Sequence, residues 1–118
     1  MNTFSITLPL TGEFLTTVRL TTGGICAAAD FDVDSAEDFK VCVTESLLIL
    51  KRNGFSKAKV DFTLTDMLHC DVCGVGDCGE KTETLEEEIS RALLSALLGK
   101  ISFATNAEDR VEKISFEG

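Results

Sequence analysis

An α+β two-layer sandwich, one domain over residues 1–118, is the fold class that this sequence predicts, and three observations predict it. Apolar residues alternate at a period of two in short stretches near both ends and in the middle of the chain, as half-buried strands require. Longer segments between them carry apolar residues at helical spacing, with caps and glycine stops. The two kinds follow one another as β-α-α-β-β-α-β-β, joined by short connections. That order implies a mostly antiparallel, partly mixed sheet with the helices layered on one face.

The first strand is Thr3 to Leu8, where Phe4, Ile6 and Leu8 alternate with polar neighbours until Pro9 ends it at a sheet edge. Thr11 is placed to cap a helix from Gly12, with Phe14, Leu15, Val18, Ile25, Cys26 and Ala29 on its inner side. Gly23-Gly24 predicts a break or kink in its middle. The second helix runs from Asp34 toward Phe55, with Asp34 as N-cap, Glu37 completing a capping box and Gly54 supplying a left-handed stop. Lys57 to Thr65 and Leu68 to Val72 form a hairpin whose buried face carries Ala58, Val60, Phe62, Leu64, Leu68, Cys70 and Val72. Thr84 and Glu87 make a second capping box. From there Leu85, Ile89, Ala92, Leu93, Ala96 and Leu97 fall on one face of a helix closed by Gly99. Ile101 to Thr105 and Arg110 to Phe116 form the last hairpin.

A chain of 118 residues buries roughly 65% of its unfolded surface without metals or disulfides, and a hydrophobic fraction of 44% excludes disorder. Eleven basic residues against twenty acidic ones give a net charge of −9, which argues against nucleic acid and anionic membranes as partners and favours a basic protein surface. The N-terminus has no secretory pattern and no stretch approaches the ~20 apolar residues of a membrane helix, so a cytoplasmic location is expected. Five cysteines, an odd number, fit a reducing compartment.

Glu45 sits amid the apolar residues of the second helix, where Phe39, Cys42, Val43, Leu47 and Leu50 recur at helical spacing. Either it lies on the helix edge in water or it is a site residue. The run Val43-Thr44-Glu45-Ser46-Leu47, preceded by Asp38-Phe39-Lys40 and followed by Lys51-Arg52-Asn53-Gly54-Phe55, resembles the first conserved box of the anti-sigma-factor serine kinases. These belong to the histidine kinase-like (GHKL) ATPase superfamily of gyrase, histidine kinases and MutL. The resemblance covers nearly the whole chain in order: an edge strand, a helix carrying Arg19, the Glu45 helix, a strand pair ending in Gly74-Val75-Gly76, a helix and a final hairpin.

In the family that this resembles, a Glu-x-x-x-Asn pair on the helix supplies a general base and a Mg²⁺ ligand. Here the second position is Ile49, which has no oxygen to offer a hard cation. A family Asp-x-Gly-x-Gly box holds adenine; Gly74 and Gly76 match its glycines, but Val72 stands where the Asp belongs, and strand alternation aims Asp71 at the other face. The family's phosphate-cradling helix start is met here by Glu86-Glu87-Glu88, which repels a triphosphate. The resemblance therefore implies a retained fold with a vestigial nucleotide site at Glu45, Gly74 and Gly76, and no cofactor.

The function that follows is a regulatory protein-interaction module, similar to a bacterial anti-sigma factor or partner-switching protein, acting without kinase activity. A sigma factor or an anti-anti-sigma-like regulator is the kind of partner implied, and a homodimer is compatible with it. One alternative is a divergent serine kinase binding ATP and Mg²⁺ through Glu45 with Asn53 or Asp71 as substitute groups. Another is a metal or redox protein using Cys70, Cys73 and Cys78, whose Cys-x-x-Cys spacing suits a soft metal but lacks a second ligand pair. His69 is expected to be an exposed strand residue and no metal site is expected.

Overall fold

The computed structural model describes residues 2–76, 78–82, 85–98 and 100–118. The chain runs β1 (Asn2–Pro9), α1 (Gly12–Ala28), α2 (Val33–Arg52), β2 (Lys57–Leu64), β3 (Leu68–Val75), α3 (Leu85–Leu97), β4 (Ile101–Thr105) and β5 (Val111–Glu117). This is the expected element order and an α+β fold. The five strands lie in the order β1-β2-β3-β5-β4, and every neighbouring pair is antiparallel. The expected mixed component is absent from these pairs for a topological reason: β3 and β4 run the same way, but β5 returns between them.

Register turns the period-two pattern into rows across the sheet. Ile6, Val60, Val72, Ile114 and Phe103 form one apolar row, and Phe62, Cys70, Phe116 and Ile101 another. Val60, Val72 and Ile114 are wholly buried beneath the helices. The row between them, Ser5, Asp61, Asp71, Ser115 and Ser102, faces the opposite, helix-free side of the sheet. A one-residue slip would exchange these sets, so burial of one face fixes the pairing.

The central helix is α2, which packs on α1, on α3 and on the sheet. Its N-cap is Asp32, whose carboxylate accepts from the Ser35 amide at 2.7 Å, two residues before the expected Asp34. This bond holds the Asp32 carboxyl below its ordinary range. The far end stops as expected, with Gly54 at φ +99, where a Cβ would strike the Gly79 carbonyl oxygen at 2.7 Å. Phe39 anchors the core, edge-on to Phe31 at 5.6 Å and Phe116 at 5.2 Å.

Helix α1 continues through Gly23-Gly24 without the expected break, because Val18, Thr22 and Cys26 at four-residue intervals all pack inward. Gly23 serves another end: a Cβ there would meet Lys40 Cε at 2.8 Å, so the glycine lets that side chain pass. Phe14, expected inside, is exposed. The larger departure is α3. Its buried residues are Ser90 and Leu94, whereas Leu85 and Ile89, expected in the core, are 71% and 57% exposed. The proposed cap at Thr84 and stop at Gly99 lie outside the described residues.

Candidate functional site

Glu45, Ile49 and Arg52 follow one another along α2 at the spacing that places them on one side of a helix, the side toward α3. Glu45 is half-buried, and its Oε2 accepts the Ser90 hydroxyl of α3 at 2.6 Å. The same hydroxyl oxygen accepts from Arg52 Nη2 at 2.6 Å, and Arg52 Nε donates to Glu87 Oε2 at 2.9 Å. Arg91 Nε reaches the other Glu87 oxygen at 3.3 Å, and its guanidinium lies 4.7 Å from the centre of the Phe103 ring of β4. Two carboxylates and two guanidinium groups thus form a charge-balanced chain that ties α2, α3 and β4 together. Arg52 and Glu87 are only 14% and 19% exposed, which makes this pair stronger than an ordinary surface ion pair.

The question raised by an acidic residue in an apolar helix is answered by this chain. The adjacent Thr44 is not the donor, since its hydroxyl donates to the Lys40 carbonyl; Ser90 of the facing helix takes the role. Composition alone does not single out Ser90. The available signal was the pairing of Glu45 with Arg52 on one side of α2, which calls for polar residues at matching spacing on the facing helix, and Glu87 and Ser90 supply it.

Three of the remaining positions of the resemblance, Ile49, Val72 and Gly74, are filled by packing. Ile49 and Val72 are each 0% exposed and belong to the core. Gly74 lies beneath Phe55, whose ring atoms stand 2.5 Å from where a Cβ would be, so the glycine admits an aromatic ring of this chain. Gly76 adopts φ +84 at the end of β3, a conformation that favours glycine for the turn itself. None of three surface depressions, of about 710, 340 and 350 Å³, is lined by Glu45, Ile49 or Val72. The third holds Gly74, Gly76 and Cys78 but is walled by Glu108 and Glu112, which disfavour phosphate.

The substitutes considered for a divergent kinase are elsewhere employed. Asn53 is buried; its amide nitrogen donates to the Ile49 carbonyl at 2.8 Å and its amide oxygen accepts from the Val111 amide at 3.0 Å, which joins the end of α2 to β5. Asp71 lies on the helix-free face of the sheet, as alternation predicts, accepting from Ser115 at 2.6 Å. Among the described residues neither side chain is hydrogen-bonded to Glu45.

The cysteines divide by face. Cys70 is 1% exposed on the core side, whereas Cys73 lies on the open side, level with Lys59 and Lys113. The Cys-x-x-Cys pair therefore points in opposite directions and cannot close on one ion. Burial pushes the Cys26 thiol up to about 11 and Cys42 to about 12, and Cys70 is raised well above 9.0 by the same cause. Among the described residues no group of three or more His, Cys, Asp or Glu side chains is arranged to hold a metal. His69 is half-buried on the open face, with Nδ1 at 2.9 Å from Glu117. Among the described residues no helix is long and apolar enough to cross a membrane.

A scan against protein-family models finds no match to this chain, and a search of curated proteins finds no similar sequence.

Proposed function

We propose that this chain is a regulatory protein-interaction module built on a histidine kinase-like ATPase sandwich of the anti-sigma-factor type, with its nucleotide site closed. The observation that carries this reading is the occupation of the site's own positions: Glu45 is bonded to Ser90, while Ile49 and Val72 are core residues. A general base must meet its substrate's proton, and a carboxylate clamped between helices by a hydroxyl is not free to do so. With the chemistry gone, what the domain offers is surface. The charge of −9 suits a partner with a basic face, of the kind that a sigma factor or a partner-switching regulator would present.

Co-purification of the tagged chain from its native cells tests this directly. A stoichiometric protein partner retained equally with and without ATP and Mg²⁺ is the expected result. Phosphate transfer from ATP to a co-purified protein, abolished by Glu45→Gln, would overturn it in favour of a kinase.

A further inference from the structure

Helix α3 carries two apolar arcs, and the fold uses one. Ser90 and Leu94 turn inward with Leu97 beside them, while Leu85, Ile89, Ala92, Leu93 and Ala96 form a continuous stripe on the outer side. Leu85, Ile89 and Leu93 are 71%, 57% and 36% exposed. Their spacing is that of a helix-in-groove or helix-on-helix contact. Glu86 and Glu88 stand on either side of this stripe, both exposed, and neither is engaged by Arg52 or Arg91, which are held by Glu87.

We infer that the outer face of α3 docks a basic amphipathic helix of a partner protein, its apolar stripe covering Leu85, Ile89 and Leu93 and its lysines or arginines meeting Glu86 and Glu88. The charge pattern selects this occupant over a second copy. An antiparallel copy would bring the acidic first turn of α3 against the last turn of its twin, which holds no basic residue, and a parallel copy would bring acid against acid. Each copy also carries a charge of −9. The inference rests on the reading of the chain as an interaction module and names the surface and the partner's chemistry.

The test uses the full chain and three synthetic helical peptides of about 18 residues each. One has a leucine stripe flanked by lysines, one has glutamates in place of the lysines, and one is a scramble of the first with its stripe dispersed. The lysine peptide is expected to bind at least about tenfold more tightly than either control, and Ile89→Asp with Leu93→Asp to remove that preference. The circular dichroism and melting temperature of this variant should stay near those of the parent, since both side chains are exposed. Equal binding of the scramble, retention of binding by the variant, or sedimentation as a dimer that the variant dissolves would each overturn the proposal. Nucleotide binding by the chain would instead strike at the closed site and leave the peptide result standing.

Discussion

Ser90 is the small side chain on which the acidic position of α2 depends, because its single hydroxyl both donates to Glu45 and accepts from Arg52. Removing it leaves a guanidinium N–H and a carboxylate oxygen without their partner in a half-buried setting, so Ser90→Ala is expected to cost about 1–3 kcal/mol in urea unfolding. Glu45→Gln keeps an acceptor for the hydroxyl and loses only the charge, with an expected cost of about 1 kcal/mol. The two changes act on one bond, so the double variant should lose less than the sum. Additive losses would show that Glu45 has another partner. The thiols give a second prediction at this scale. Cys26 and Cys42 have folded values raised from 9.0 to about 11 and about 12, so the folded state binds protons that the unfolded state releases first. Their contribution is fully present below pH 9.0 and is lost as pH rises toward 11 and 12. Stability measured between pH 8 and 10 should therefore fall with rising pH, more steeply in the parent than in Cys26→Ala with Cys42→Ala. Equal slopes would contradict the assignment.

The helices and strands tell where sequence reading succeeds and where it stops. Strand faces were legible because a period of two admits only two answers, and core burial of Val60, Phe62, Cys70 and Val72 chose between them. Helix α2 was legible to within two residues, its cap displaced from Asp34 to Asp32 because the Ser35 amide bonds the earlier carboxylate. The face of α3 was not legible. Its apolar residues span a wide arc, and periodicity alone does not say which part of such an arc the core will cover. Burying Glu87 and Ser90 answers Arg52 and Glu45, at the expense of leaving Leu85 and Ile89 in water, where each forgoes about 1.5–3 kcal/mol of burial. The candidate site was half legible for the same reason: the apolar character of Ile49 and Val72 could be read from the sequence, but the bond to Ser90 spans 45 residues of sequence. At this scale, Ile49→Asn with Val72→Asp places an amide and a carboxylate in a closed core. The expected outcome is a loss of about 3 kcal/mol or more, by thermal and urea unfolding, that ATP does not restore. Nucleotide binding by that variant would contradict this, because it would mean that the core opens into a pocket once polar groups are placed there.

Taken whole, the molecule is acidic, and its antiparallel sheet is covered by helices on one side among the described residues, with the element order that the alternation of strand and helix patterns in the sequence predicts. The layer between α2, α3 and the sheet is filled by Ile49, Val72 and the Glu45–Ser90–Arg52–Glu87 chain. Among the described residues no buried side-chain polar atom lacks a hydrogen-bond partner, so a nucleotide would have to displace hydrogen bonds and core contacts before making any of its own. Isothermal titration of the full chain with ATP in the presence of Mg²⁺ is the most direct measurement of this claim. The expected result is no saturable heat at ATP concentrations up to about millimolar, a level at which any binding would be weaker than about −4 kcal/mol. A Mg²⁺-dependent dissociation constant in the micromolar range, weakened by Glu45→Gln, would contradict it.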